Sequence, residues 1–139
     1  MLPVGRADSP GPILIDTFSS NIRGRYRLPG KSDFNRVFKQ SQRSADRFFI
    51  VLYCSNDLGY PRLGLAIAKR NCRLAVQRNR LKRLIRESFR LARPLIGGVD
   101  IVVMSRPRAH IATNPDLFDS LQQHWRRLSK RRKTEQGNH

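Results

Sequence analysis

Residues 69–93 constrain this chain more than any other stretch, because they hold ten Lys or Arg residues and one acid, Glu87. On a helix turning about 100° per residue, Leu74, Leu81, Leu84, Ile85, Ser88, Phe89 and Ala92 gather on an arc roughly 140° wide. Arg78, Asn79, Lys82, Arg83, Arg86, Arg90 and Arg93 fill much of the remainder. The apolar stripe has the i, i+3, i+4, i+7 spacing of a helix lying on a core. The basic side must then face solvent or an anion. A surface helix ordinarily interleaves acids at i,i+4 to relieve like-charge repulsion. With Glu87 nearly alone, that relief is left to a partner.

The whole chain repeats the bias. Its 28 Lys and Arg stand against 10 Asp and Glu, a formal charge of +18 in 139 residues. Such a charge attracts polyanions at long range and weakens the compact state by self-repulsion. A membrane-lying helix needs a broad exposed apolar face with aromatic residues. The stripe here is narrow enough to be consumed by core packing, so nucleic acid is expected rather than a membrane surface. Arg outnumbers Lys, which suits forked phosphate contacts and stacking on bases. The apolar run 48–54 fits one buried strand and is far too short to span a bilayer. Pro3, Asp8, Pro10 and Pro12 interrupt any signal-peptide core. Cys54 and Cys72 lack metal-site spacing, so reduced thiols of a cytoplasmic protein are expected.

The length predicts one domain. Residues 1–29, with four Pro residues and no sustained period, read as a flexible extension apart from the short patch Pro12-Ile13-Leu14-Ile15, residues 30–129 as the domain and residues 130–139 as a basic tail. Ser32 is positioned to cap a short helix carrying Asp33, Phe34, Val37 and Phe38. Residues 47–53 read as a strand and residues 56–61 as a turn built on Asp57 and Gly59. Residues 62–68 alternate, with Leu63, Leu65 and Ile67 on one side and Gly64, Ala66 and Ala68 on the other. The Gly/Ala side is low, open to close approach by a helix or an extended ligand. The basic helix follows, ended by Pro94 and Gly97-Gly98, and then an apolar strand over 101–104. Asn114-Pro115 opens a last helix with Leu117, Phe118, Leu121, Trp125 and Leu128 on its core side. The order αββαβα predicts an α+β fold, a two-layer α-β sandwich.

No catalytic centre is expected in the polypeptide. A metal-dependent nuclease needs carboxylates converging on its cations. Here the acids fall mostly in tails, turns and helix starts, where capping suffices. His110 sits in a connection, His139 at the terminus, and His124, beside Trp125, reads as a surface residue. No phosphate-binding glycine loop or nucleophile motif occurs, and neither catalytic nor metal-ligating residues are assigned.

Lys69-Arg70, Ala75 and the run Arg78-Asn79-Arg80-Leu81-Lys82-Arg83-Leu84-Ile85-Arg86-Glu87-Ser88-Phe89 closely resemble the signature of the protein subunit of bacterial ribonuclease P. The resemblance extends to Asp33-Phe34, Val37-Phe38, Arg62-Leu63-Gly64-Leu65 and Asp100-Ile101-Val102-Val103, covering roughly residues 25–128. Residues 1–24 fall outside it. It implies a sandwich with a left-handed crossover between parallel strands, against the usual right-handed rule, as in a domain of a small-subunit ribosomal protein.

The resemblance also implies an activity. In the family a large RNA subunit removes the 5′ leader of precursor transfer RNA with Mg²⁺, which RNA and substrate mainly hold. Carried over, Lys69, Arg70, Arg78, Asn79, Arg80, Lys82, Arg83 and Arg86 would contact the RNA subunit, with Arg80 near the edge of the basic arc. The family's cleft between first helix and sheet would place Phe34, Phe38, Phe49 and Ala66 on the leader. Whether Phe48, Ile50 and Leu52 or Phe49 and Tyr53 face that cleft depends on register. The implied partners are the RNA subunit and precursor transfer RNA, with no membrane and no obligatory protein partner. A ribosomal or other structural RNA-binding protein is the strongest alternative, ahead of a transcription factor or an autonomous nuclease.

Overall fold

The computed structural model describes residues 15–16 and 24–137, with side chains for 25–130. Among these residues, strands β1 (Ile15–Asp16), β2 (Gln42–Ala45), β3 (Phe49–Ser55), β4 (Arg62–Ala66) and β5 (Val99–Ser105) form one sheet in the order β1-β4-β5-β3-β2. Helices α1 (Lys31–Gln40), α2 (Ala75–Ile96) and α3 (Asn114–Gly137) complete the α+β fold. β4 and β5 are parallel, joined through α2, and the other strand pairs are antiparallel. β5 lies between β4 and β3, which is why residues 101–104 are so continuously apolar.

The pairing register fixes the two sheet faces. Tyr53↔Ile101 and Leu63↔Ile101 align one row, and Val51↔Val103 and Leu65↔Val103 the next. These side chains enter the main core with Leu81, Ile85, Phe89, Leu117, Leu121, Trp125 and Leu128 of α2 and α3. The alternate rows align Leu52, Val102 and Gly64, then Ile50, Met104 and Ala66. This opposite face carries α1 and a small cluster of Leu28, Phe34, Val37, Ala66 and Val102. Helices thus lie on both faces. The low side of β4 receives Phe34, since a Cβ at Gly64 would stand 2.3 Å from the tip of its ring.

Trp125 Nε1 donates to Ser88 Oγ at 2.8 Å and packs edge-on against Phe89, tying α3 to α2. Asp57 (φ 59°) and Gly59 (φ 81°) adopt the left-handed conformations that the 56–61 turn requires.

Several expectations are corrected. Two strands are absent from the predicted order: β1, in the expected extension, pairs with β4 at Ile15↔Ala66, and β2 is polar and pairs along β3, with Ser44 opposite Val51. Ser32 lies inside α1, which starts at Lys31 behind Gly30 without a side-chain cap. Pro94 does not end α2. It sits in the last turn, where it forfeits one bond, while buried Ile96 holds the helix and Gly97 (φ 77°) turns the chain. Thr113, not Asn114, caps α3, its Oγ1 accepting from the Asp116 N–H at 3.3 Å. Leu74 precedes α2 and is exposed rather than part of its core stripe. The backbone of α3 also continues through residues 130–137 of the predicted tail.

Candidate nucleic-acid interface

α2 buries Leu81, Ile85, Ser88, Phe89, Ala92 and Ile96, leaving its other side to basic residues. Its first turn holds no acid, and no side chain caps it. The positive dipole end therefore faces outward without an acid to offset it, while the Gln77 N–H is taken by the Leu74 carbonyl at 3.1 Å. Lys69 and Arg70 are exposed on the short 3-10 turn Lys69–Asn71 just ahead, which Asn71 pins by donating to the Ser105 carbonyl at 3.0 Å. Glu87 is engaged within the helix by Arg90, whose hydrogen bond holds its carboxyl below the usual range.

The predicted contact residues differ in how they are held. Arg78 donates to the carbonyls of Cys72 (3.1 Å) and Arg73 (2.9 Å), locking the entry to α2 while its side chain stays half-buried. Arg80 turns away from the strip. It donates to Gln77, to Asn114 Oδ1 and to the carbonyls of His110 and Ala112 at 3.0 and 3.3 Å, joining α2 to the start of α3. Its place at the edge of the basic arc explains that engagement. Asn79 and Arg83 are exposed, and Lys82 and Arg86 half-buried.

On the other face, α1 is docked by buried Phe34 and Val37 and by an ion network. The Asp100 side chain is wholly buried in the sheet beneath it. It accepts from Arg62 Nε at 2.8 Å and Nη2 at 2.7 Å, from Asn56 Nδ2 at 2.9 Å, and from Arg36 of α1. Arg62 also reaches Asp33 at 3.3 Å. Burial opposes ionisation of Asp100, yet the bonds from Arg62 and Asn56 and the nearby Arg36 charge hold its carboxyl below the usual range. None of these roles was assigned from sequence. Asp100 belonged to the quoted family pattern, but its partners lie 38, 44 and 64 positions away.

Of the four predicted leader residues, only Phe38 offers substantial surface, being 38% exposed. Phe34 and Ala66 are buried in the cluster under α1. Phe49 is wholly buried in the opposite core, because Asp46 Oδ1 accepts the N–H groups of both Phe48 and Phe49 and sets the parity of β3. That parity turns Phe49, Val51 and Tyr53 toward α2 and α3, and half-buried Ile50 and Leu52 toward the α1 side, beside Met104. Phe38 stands one turn beyond Phe34 on the same side of α1.

His124 is buried rather than on the surface. Its Nδ1 lies 2.7 Å from Ser44 Oγ and its Nε2 3.3 Å from Asp46 Oδ2. Burial pushes its pKa down despite Asp46. The error follows from missing β2, whose Ser44 covers it. Among the described residues, no three of His, Cys, Asp and Glu gather closely enough to hold a metal ion. Asp100 is already saturated by arginine and amide donors, so the donor set does not fit a protein-held Mg²⁺. No helix among them is long and apolar enough to cross a membrane.

The sequence model of the family described as Ribonuclease P matches residues 22–129. The ribonuclease P protein component of Nitrosococcus oceani is 45% identical over 104 residues, 75% of this chain and 87% of the relative. That of Pseudomonas putida is 47% identical over 117 residues, 84% and 88%. Among solved structures, the RNase P protein of Staphylococcus aureus superposes with a TM-score of 0.69 at 34% identity, covering 77% of this chain and 97% of that one. The RNase P protein of Thermotoga maritima gives 0.67 at 31%, covering 74% and 97%.

Proposed function

The chain belongs to the ribonuclease P protein family, and from that membership we propose that its two faces serve two RNAs. It acts in transfer RNA processing as the protein component of that enzyme. The basic strip of α2, led by Lys69 and Arg70 and running through Arg78, Asn79, Lys82, Arg83 and Arg86, lies along the RNA subunit. Arg80 supports that strip from behind by holding α3. The apolar rim of α1, with Phe38 above Ile50, Leu52 and Met104, takes the single-stranded 5′ leader of precursor transfer RNA. Phe34 and Ala66 sit beneath as packing.

The observation that carries this reading is the one-sided charge of α2, whose single acid is already neutralised by Arg90. Hydrolysis belongs to the RNA subunit and its Mg²⁺. The chain contributes phosphate neutralisation beside that centre and a surface that only the precursor, with its leader, occupies. Precursor then binds more tightly than mature product, and less Mg²⁺ suffices. Assembly is strongly salt-dependent, since six to ten phosphate contacts cost on the order of 10³–10⁵ in affinity between 50 and 200 mM salt. The setting is the cytoplasm, where transfer RNA is processed.

Two substitutions test the two faces separately. Arg83→Ala should weaken assembly with the RNA subunit while changing stability by less than about 0.5 kcal/mol. Arg78→Ala is a poorer probe because it also frees the carbonyls of Cys72 and Arg73. Phe38→Ala should lower holoenzyme affinity for precursor on the order of tenfold and leave affinity for mature transfer RNA unchanged. An equal fall for both would remove the leader assignment.

A further inference from the structure

The basic strip of α2 does not stop at Arg86. Arg93 lies on the same side of the helix as Arg78, about 22 Å further along its axis at 1.5 Å per residue. There its guanidinium stands 4.0 Å from the centre of the Tyr26 ring. Arg25 lies 5.2 Å from the same ring and 5.1 Å from Tyr60, and it donates to the Tyr26 hydroxyl at 3.2 Å. The two rings meet edge to face, 5.9 Å apart at 83°. Two guanidinium groups and two half-exposed aromatic rings therefore share one surface patch.

Three elements hold this patch in place independently of any ligand. Tyr26 sits on the 3-10 turn Gly24–Tyr26, and the next residues join β4 through the Arg27↔Leu63 bridge and the Leu28 N–H donating to the Leu63 carbonyl at 3.0 Å. Tyr60 closes the 56–61 turn, where Asn56 Nδ2 donates to its carbonyl at 3.0 Å. Arg93 comes from the last turns of α2. Among the described residues, neither Arg25 nor Arg93 is paired with a carboxylate. Their partners are aromatic faces and a hydroxyl, which orient a guanidinium without cancelling its charge. Rings that accept a stacked base, beside arginines aimed at phosphate, are the ingredients of a single-strand site.

We propose that Arg25, Tyr26, Tyr60 and Arg93 form a second RNA contact, which stacks an unpaired base on the tyrosine rings and holds its phosphate on the guanidinium groups. The inference rests on the reading that the α2 strip follows RNA, and it extends that track to the far end of the helix. The base comes from the RNA subunit or from precursor transfer RNA, and the test separates the two.

The full-length chain is assembled with a bacterial ribonuclease P RNA, and two affinities are measured across a salt series: protein for RNA subunit, and holoenzyme for precursor. Tyr60→Leu removes the ring but keeps apolar bulk, and its fold is checked by thermal melting. It should weaken one of the two affinities about five- to fiftyfold without altering the salt slope. Tyr60→Phe should restore the lost affinity. Arg25→Ala should instead reduce the slope by about one charge. Loss at the assembly step assigns the base to the RNA subunit, and loss at the precursor step to the substrate. A folded Tyr60→Leu chain with both affinities intact overturns the proposal. If Arg83→Ala weakens assembly in the same series, only this contact is wrong. If Arg83→Ala is also silent, the underlying placement of α2 on RNA fails with it.

Discussion

The two faces of the sheet are held by different physics. Under α2 and α3, a continuous apolar core runs from Phe48 to Leu128, and within it Trp125 donates to Ser88 between the helices. Under α1 the apolar cluster is small, and the helix is fixed by Phe34 in the Gly64 hollow and by Arg36 on buried Asp100. A helix docked by Phe34, Val37 and one ion network buries little apolar surface. It leaves Phe38 exposed and Ile50, Leu52 and Met104 half-buried. The two faces therefore offer different surfaces: the well-packed face presents the outward side of α2, and the sparsely packed face keeps apolar surface open.

The largest effect should come from the packed face. Trp125→Ala should lose about 3–5 kcal/mol of stability in denaturant titration and strand Ser88, while the folded fraction keeps its preference for precursor over mature transfer RNA. Asp100→Asn, on the other face, should cost about 3 kcal/mol because Arg36 and Arg62 lose their charge partner. It should also narrow the precursor preference as α1 loosens, and an unchanged preference would show that the ion network does not set the rim. Gly64→Ala should cost about 1–3 kcal/mol by forcing the Phe34 ring out of its hollow, with a smaller change of the same sign in that preference.

The smallest effect is a pH dependence, led by His124 on the packed face. Ser44 and Asp46 face His124, and Arg127 approaches by donating to Ser44 at 3.0 Å. Because burial lowers its pKa, the folded state binds the proton less readily than the unfolded chain. Its contribution is therefore intact above the ordinary histidine value near 6.5 and declines as pH falls below it. Asp46 and Asp100, both held low in the fold, add a further loss below the ordinary carboxylate range near 4. Melting temperature should drop in both windows, and His124→Gln should remove the first.

What could be read from the sequence was what repeats along one element. The stripe of α2 from Leu81 onward, the alternation of β4 and the apolar run of β5 each signal themselves in the sequence and lie within the expected elements. β2 did not, because Gln42-Arg43-Ser44-Ala45 holds no β-branched residue and becomes a strand only by pairing with the edge of β3. Missing it put His124 on the surface. The parity of β3 was equally closed, since it depends on how Asp46 gathers two amide groups, and so Phe49 was assigned to the wrong face. Of the basic strip on α2, Arg83 was legible as an exposed cation. The inward turn of Arg80 was not, because its partners come from the distant start of α3. Asp100 stood just ahead of the predicted strand over 101–104 with no role assigned, and only the fold brings Arg36, Asn56 and Arg62 to it.

The most direct measurement is cleavage of a precursor transfer RNA at low Mg²⁺ by a bacterial ribonuclease P RNA, with and without this chain. Cleavage only when both are present, lost at higher salt and weakened by Arg83→Ala, is the predicted result. Absence of stimulation by the folded chain, even with the RNA subunit from its own source, would contradict the account. So would cleavage by the chain alone, which would place a catalytic centre where none is assigned.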